Sequence, residues 1–239
     1  MEQLNWFIHE VVGAIIALTV TYLLHLNWGY FWLFVMSQTA YRKKRIRLSI
    51  SYLYRIKIDG NYLLVKGMRI KHQFQPVGGV YKRLPESVEF FNKIGVRDDK
   101  NIPIDETSRD DLRINMEGKH LYSFLSWYKK GEGRENSVFR EFYEELIAPN
   151  YVPTALFPYI NYRYIKQVRT KISFSTHFQM DEIMIAEIYE FIPNQSQLDE
   201  LKELMNRTND NYIWVDEETI LKRGANKEII IAPTAEWIL

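Results

Sequence analysis

Cysteine is absent from the 239-residue sequence. Disulfides, thiolate metal sites and a cysteine nucleophile are thereby excluded together, and the composition is compatible with a reducing compartment. Histidine is scarce at 5 residues. His72, His120 and His177 are dispersed without the spacing of clustered ligands, so any metal would be held mainly by carboxylates. Excess charge of either sign is also missing: 31 Lys and Arg stand against 30 Asp and Glu, a formal net charge of +1. A globally basic nucleic-acid surface is excluded, and direct DNA binding is not expected. No internal repeat is visible. The chain does have apolar mass, with 46% hydrophobic and 15% aromatic residues. That is too much for a disordered chain and enough for one generous domain or two small ones.

Charge is missing locally as well. From Val11 to Met36 the sequence reads VVGAIIALTVTYLLHLNWGYFWLFVM, without a single Lys, Arg, Asp or Glu. Roughly 20 apolar residues span the hydrocarbon of a bilayer, so the run predicts one tilted transmembrane helix. It is too long and too aromatic for a signal-peptide core. The basic run YRKKRIR, Tyr41 to Arg47, follows it, whereas Glu2 and Glu10 precede it. The positive-inside rule then puts the N-terminus outside and the rest of the chain in the cytoplasm, with the basic run as an orientation and headgroup anchor. Asn27, Trp28 and Gly29 leave open a hairpin of two short membrane helices, whose second limb, Tyr30 to Ala40, is short for a crossing. His25 reads as an interfacial or packed residue. The organisation expected is a membrane anchor with its basic flank over 1–47 and one cytoplasmic domain over 48–239.

In that domain, Asp59-Gly60 between alternating apolar residues is a strong hairpin signal. It predicts that strands at about Leu48–Ile58 and Tyr62–Lys66 pair antiparallel. PESVEFFNKIG has helical spacing, with Gly95 as a C-terminal cap. DLRINMEGKHLYSFLSWY reads as strand, turn, and then strand or short helix. Strands are expected at Tyr162–Phe178 and Glu182–Phe191, an amphipathic helix in QSQLDELKELMNRTND, and a strand leading into a last helix in NYIWVDEETILKR. The order predicts an α+β domain with a mixed sheet and flanking helices.

The stretch GEGRENSVFREFYEEL, Gly131 to Leu146, carries the chemistry. With Glu135 to Leu146 on a helix, Val138, Phe142 and Leu146 form an apolar stripe at i, i+4, i+8. Glu141, Glu144 and Glu145 share another face, where like charges repel. A hard divalent cation such as Mg2+ or Mn2+ would relieve that repulsion, and Arg140 is able to pair with Glu144 or reach back to Glu132. On spacing alone a solvated surface helix is the more ordinary reading. Solvent-facing alternation is the reading for Glu187 and Glu190, and core packing for Phe74, Tyr81, Trp127 and Tyr128.

Glu132, seven residues, Arg140-Glu141, an apolar Phe142, one residue and Glu144-Glu145 together resemble the larger part of the Nudix box. Pro76-Val77-Gly78-Gly79 resembles the glycine turn that leads into such a box, and Trp214-Val215-Asp216-Glu217-Glu218 the downstream strand-to-helix segment. Ser126 stands where the box has its first glycine and Ile147 where it has its last. About fifty residues separate Gly79 from Glu132. The resemblance covers roughly 48–239 and implies a Nudix-like α/β/α sandwich with an insertion before the Nudix helix. It further implies metal ligands at Glu141, Glu144 and Glu145, with Glu141 as a catalytic candidate, an orienting pair of Glu132 and Arg140, and a nucleotide-binding loop at Gly78 and Gly79. With the N-terminal apolar run, QPVGG and the terminal IAPTAEWIL, the chain resembles the SMODS-associated Nudix effectors of bacterial CBASS antiphage systems. That resemblance implies an inner-membrane effector. Its cytoplasmic domain would sense a cyclic oligonucleotide and trigger membrane-mediated death or growth arrest, with self-assembly and with 27–29 as a bistable membrane element. A membrane-tethered, Mg2+-dependent pyrophosphohydrolase acting on a nucleoside diphosphate derivative is the alternative.

Overall fold

The computed structural model describes residues 11–14, 21, 28–67, 73–99 and 108–239. Its centre is a pair of long strands, β1 (Arg45–Arg55) and β10 (Met180–Ile192), which run parallel from Ile46 opposite Asp181 to Arg55 opposite Glu190. Their side chains alternate between two apolar clusters, as the two-residue period of a strand dictates. Leu48, Ile50, Tyr52, Tyr54, Ile183 and Ile185 face one cluster. Leu53, Ala186 and Ile188 face the other. Parallel pairs of this kind need cover on both faces.

The larger sheet runs β6 (Arg97–Asp98), β7 (Arg113–Glu117), β1, β10, β8 (Asn161–Arg169). Off that path, β5 (Gly78–Val80) also pairs with β1, and β9 (Ser173–Ser175) with β10. The smaller sheet runs β11 (Tyr212–Val215), β3 (Asn61–Lys66), β4 (Gln73–Pro76), β12 (Ile230–Ile231), with β2 (Lys57–Ile58) on β3. The Asp59-Gly60 turn forms as expected, both residues at positive φ (46° and 85°). It joins only the short β2 to β3. The long first strand does not pair across it: the chain passes into the smaller sheet beyond Arg55, and β1 finds its partner in β10.

Helices α2 (Val88–Lys93), α3 (Leu121–Lys130), α5 (Gln195–Asn206) and α6 (Glu217–Leu221) flank the sheets. Thus the expected α+β class is observed, and helix replaces the second strand alternative at 121–130. The residues between Gly79 and Glu132 fold as α2, β6, β7 and α3, adding two strands to the edge of the larger sheet.

Residues 28–38 form a helix, α1. Leu33 and Ser37, one turn apart, are buried against the domain. The Tyr30 hydroxyl donates to Gln167 Oε1 on β8 (2.8 Å), and Gln38 Nε2 donates to the Lys119 carbonyl (3.0 Å). Trp28, Phe31 and Trp32 remain exposed. Among the described residues no helix is long and apolar enough to cross a membrane. Residues 15–20 and 22–27, most of the charge-free run before α1 and including Asn27, lie outside the described residues. The proposed second limb of a membrane hairpin is this docked helix.

The basic run divides. Arg45 and Arg47 belong to β1 rather than to a headgroup anchor. Arg47 is buried and ion-paired with Asp99 (Nε to Oδ2, 2.5 Å) and Glu182, since a guanidinium inside a fold is tolerated only with carboxylate partners.

Candidate functional site

The acidic motif begins as turn and extended chain. Gly131 and Gly133 take positive φ (74° and 68°), and the Glu135 amide donates to the Lys82 carbonyl (2.8 Å). With the β-bridge between Arg83 and Arg134, these contacts hold the chain extended along 82–83, and helix α4 starts only at Phe139 and runs Phe139–Phe142. The apolar stripe forms as expected: Val138, Phe142 and Leu146 are buried. Phe142 packs between Tyr54, Phe157 and Phe191, and the Tyr54 hydroxyl donates to the Val138 carbonyl (2.8 Å). Beyond Phe142 the helix widens to five-residue hydrogen bonding, the Ala148 amide donating to the Tyr143 carbonyl (2.8 Å). Such widened turns recur at functional sites.

The wider turn carries two of the three glutamates, and they part there. Glu145 points inward, its Oε2 accepting the Gly78 amide at 2.8 Å. Glu144 stays half-exposed, 3.5 Å from Arg140 Nη1. Glu141 turns inward too, its carboxylate lying so close to Gly79 that a Cβ there would fall 2.1 Å from Oε1. Gly78 is equally constrained, with φ of +143° and the Tyr52 carbonyl oxygen 2.2 Å from where a Cβ would be. Of these two consecutive glycines on β5, Gly79 leaves room for the Glu141 carboxylate and Gly78 for the Tyr52 backbone.

Arg140 organises this corner. It reaches both oxygens of Glu135 (3.0 and 3.1 Å), Glu141 Oε1 (2.5 Å) and the Val80 carbonyl on β5 (2.9 Å). Its partner is Glu135, not Glu132 as the box spacing suggests. The turn at 131–133 carries Glu132 away, into a groove with Glu86, Phe90 and Trp127. The only sequence signal for Glu135 was a second carboxylate upstream of Arg140. Tyr52, whose hydroxyl accepts the Glu141 amide (3.2 Å), left no signal at all.

Burial pushes the Glu141 carboxyl above its ordinary range, against the lowering pull of Arg140. Glu145 is raised further. It keeps partial surface access, but protein packs around its carboxylate, and desolvation joined by the Glu141 charge outweighs the Gly78 amide and Gln75. A cleft of about 410 Å³ lies beside Glu144 and Glu145, against Val65, Lys66 and Asn211. Above the Glu141 corner, the hydroxyls of Tyr81 and Tyr189 donate to Glu187 Oε2 (2.7 and 2.9 Å). Arg134 lies over the ring of Tyr128 (4.1 Å). Glu187 is thus held in a tyrosine cluster rather than in solvent, whereas Glu190 pairs with Arg163 at the surface.

The model of the SMODS-associated NUDIX domain matches residues 45–239. The chain belongs to this family. No curated protein and no solved structure matches it. For a NUDIX domain the donor set suits a hard divalent cation, since Glu141 and Glu145 bring adjacent carboxylates whose raised pKa values a cation would relieve. Among the described residues no three acidic or histidine side chains stand as a ready metal cluster. Glu144 would complete the NUDIX set only by leaving Arg140.

Proposed function

We propose that the chain is a membrane-anchored effector of a CBASS antiphage system, whose NUDIX domain senses a cyclic nucleotide and passes the signal to its N-terminal segment. The observation that carries sensing over turnover is the parting of the glutamates. Glu141 and Glu145 face the glycine turn, while Glu144, which a cleaving NUDIX site would bring to the metal, is tied to Arg140 and half-exposed. Membrane anchoring rests on the charge-free run from Val11 and the lysines and arginines that follow it. In this reading the charge-free sequence before Trp28 would cross the inner membrane, with the N-terminus outside and the domain in the cytoplasm. Copies of the chain would assemble in the membrane when the signal binds.

In this reading Glu141 and Glu145, joined by Glu144, would hold Mg2+ or Mn2+, and the cation would neutralise ligand phosphate. The intact Glu141–Glu145 pair is also what favours the alternative of a pyrophosphohydrolase, in which the same cation activates water. Equilibrium binding of cyclic di- and trinucleotides to the full chain, beside a phosphate-release assay on nucleoside diphosphate compounds with Mg2+, separates the two. Tight binding without turnover is expected. Turnover abolished by Glu145→Gln, with no cyclic nucleotide bound, would overturn the sensor and establish the hydrolase.

A further inference from the structure

Helix α1 lies across the same face of the larger sheet as the tyrosine cluster. On that face β8 presents Gln167 opposite Glu187, Arg169 opposite Ile185 and Tyr164 opposite Tyr189. Tyr30 of α1 sits among them. Besides its hydrogen bond to Gln167, its ring has Lys129 Nζ 3.8 Å and the Arg169 guanidinium 4.2 Å from its centre. The helix backbone is pressed against the same arginine, since a Cβ on Gly29 would fall 2.8 Å from Arg169 Nη2.

Two cations thus meet on one neutral ring. Among the described residues neither Lys129 nor Arg169 forms an ion pair, and Arg169 Nη1 is buried without a hydrogen-bond partner. Burial lowers the Arg169 pKa, with only Tyr30 opposing it. On this half-buried guanidinium the enclosed Nη1 is short of its normal partner, because a cation–π contact replaces neither a carboxylate nor a phosphate. Two cations gathered on one ring suit an anion. The adjoining cleft, about 630 Å³, is walled by Trp28, Trp32 and Met36 and floored by Arg169 and Lys171. Aromatic faces beside cations suit a base joined to phosphate.

We propose that Lys129 and Arg169 form a phosphate subsite for a nucleotide-class ligand, that Tyr30 covers this subsite in the unliganded chain, and that an entering phosphate displaces Tyr30 and frees α1. The proposal rests on the sensing reading above and adds the route by which the signal reaches the N-terminal segment. A phosphodiester would pair with both cations, and the released Gln167 amide would be left to bond the base. The strength of the Tyr30 contacts sets how much ligand is needed, because covering the subsite scales down its apparent affinity.

Inorganic pyrophosphate is the probe, titrated calorimetrically into the full-length protein in detergent, with chelator present so that the glutamate site takes no part. Tyr30→Ala should tighten pyrophosphate binding about five-fold or more, as removal of a competing cover predicts. Arg169→Gln added to it should remove the gain. Tyr30→Phe, which loses only the bond to Gln167 and keeps the packed ring, should move affinity the same way by less. Binding that is unchanged by both Tyr30 variants, a gain that survives Arg169→Gln, or no pyrophosphate binding to any variant would overturn the proposal. Cyclic di- and trinucleotides added to the same proteins, with Mg2+ in place of chelator, keep the two readings apart. If they bind no variant while pyrophosphate behaves as expected, sensing falls and the subsite stands. If they bind wild type, Tyr30→Ala and Arg169→Gln alike, the subsite falls and sensing stands.

Discussion

Helices α4 and α1 both lie against the larger sheet, and they are held in opposite ways. Arg140 alone ties α4 to Glu135 and the Val80 carbonyl while bracing Glu141 beside it, and Glu145 adds the Gly78 amide. Phe142 and Leu146 beneath are fully buried. The α1 helix rests on Leu33 and Ser37, two side-chain hydrogen bonds to distant parts of the chain and a tyrosine between two cations without an ion pair among the described residues, with Trp28, Phe31 and Trp32 left in the open. Opening free energies follow buried apolar contacts and enclosed hydrogen bonds. α4 is therefore a fixed part of the frame, and α1 is the element a ligand has the means to move.

The largest break in this contrast is expected from Arg140→Met. It strands Glu135 and Glu141, whose side chains are each 14% exposed. Unpairing an enclosed charge costs roughly 3 kcal/mol or more, read as a lowered midpoint in urea denaturation. Next comes Gly78→Ala, where a Cβ would meet the Tyr52 backbone at a φ of +143°. Strain at such a position costs about 1–3 kcal/mol, and the readout is the same midpoint, together with loss of any Mn2+ binding followed by electron paramagnetic resonance.

Smaller, but of definite sign, is the pH dependence of Glu145. Its folded pKa lies well above the ordinary 4.5, so the folded state holds its proton more tightly than the unfolded chain. The stability this confers is complete below 4.5 and is lost as pH rises through the folded value. Glu145→Gln should flatten that decline in chelator, measured as thermal midpoint against pH. Saturating Mn2+ should flatten it in the wild type and leave the variant unmoved. The smallest effect belongs to α1. Tyr30→Phe removes one hydrogen bond, worth about 1 kcal/mol at most. It should leave the urea midpoint nearly unchanged while raising amide hydrogen exchange over 28–38. An equal rise over 139–147 would erase the distinction between the helices.

Local chemistry was legible in the sequence. Asp59-Gly60 made its turn, Val138, Phe142 and Leu146 their stripe, and Gly78-Gly79 their place beside Glu141 and Glu145. Pairings set by distant chain were not. The partner of β1 lies in β10, where Arg47 reaches Glu182 across 135 positions of sequence. Glu135 displaced Glu132 because two glycines upstream turned the chain, and a spacing rule counts residues without following their direction. Hydropathy read Leu33 as facing lipid because an apolar side chain looks the same whether a bilayer or a protein face covers it.

The bond from Gly78 to Glu145 bridges 67 positions, with α2, β6, β7 and α3 folded between. A corner assembled over such a span needs β1, β5 and α4 in place together, and contacts of that sequence separation are slow to form. Neither half of the corner exists alone. A peptide of 131–146 carries every residue of the acidic motif and none of the geometry, so pieces of this chain are expected to be silent where the whole responds. In a growing chain, this corner has no form until Glu145 has left the ribosome.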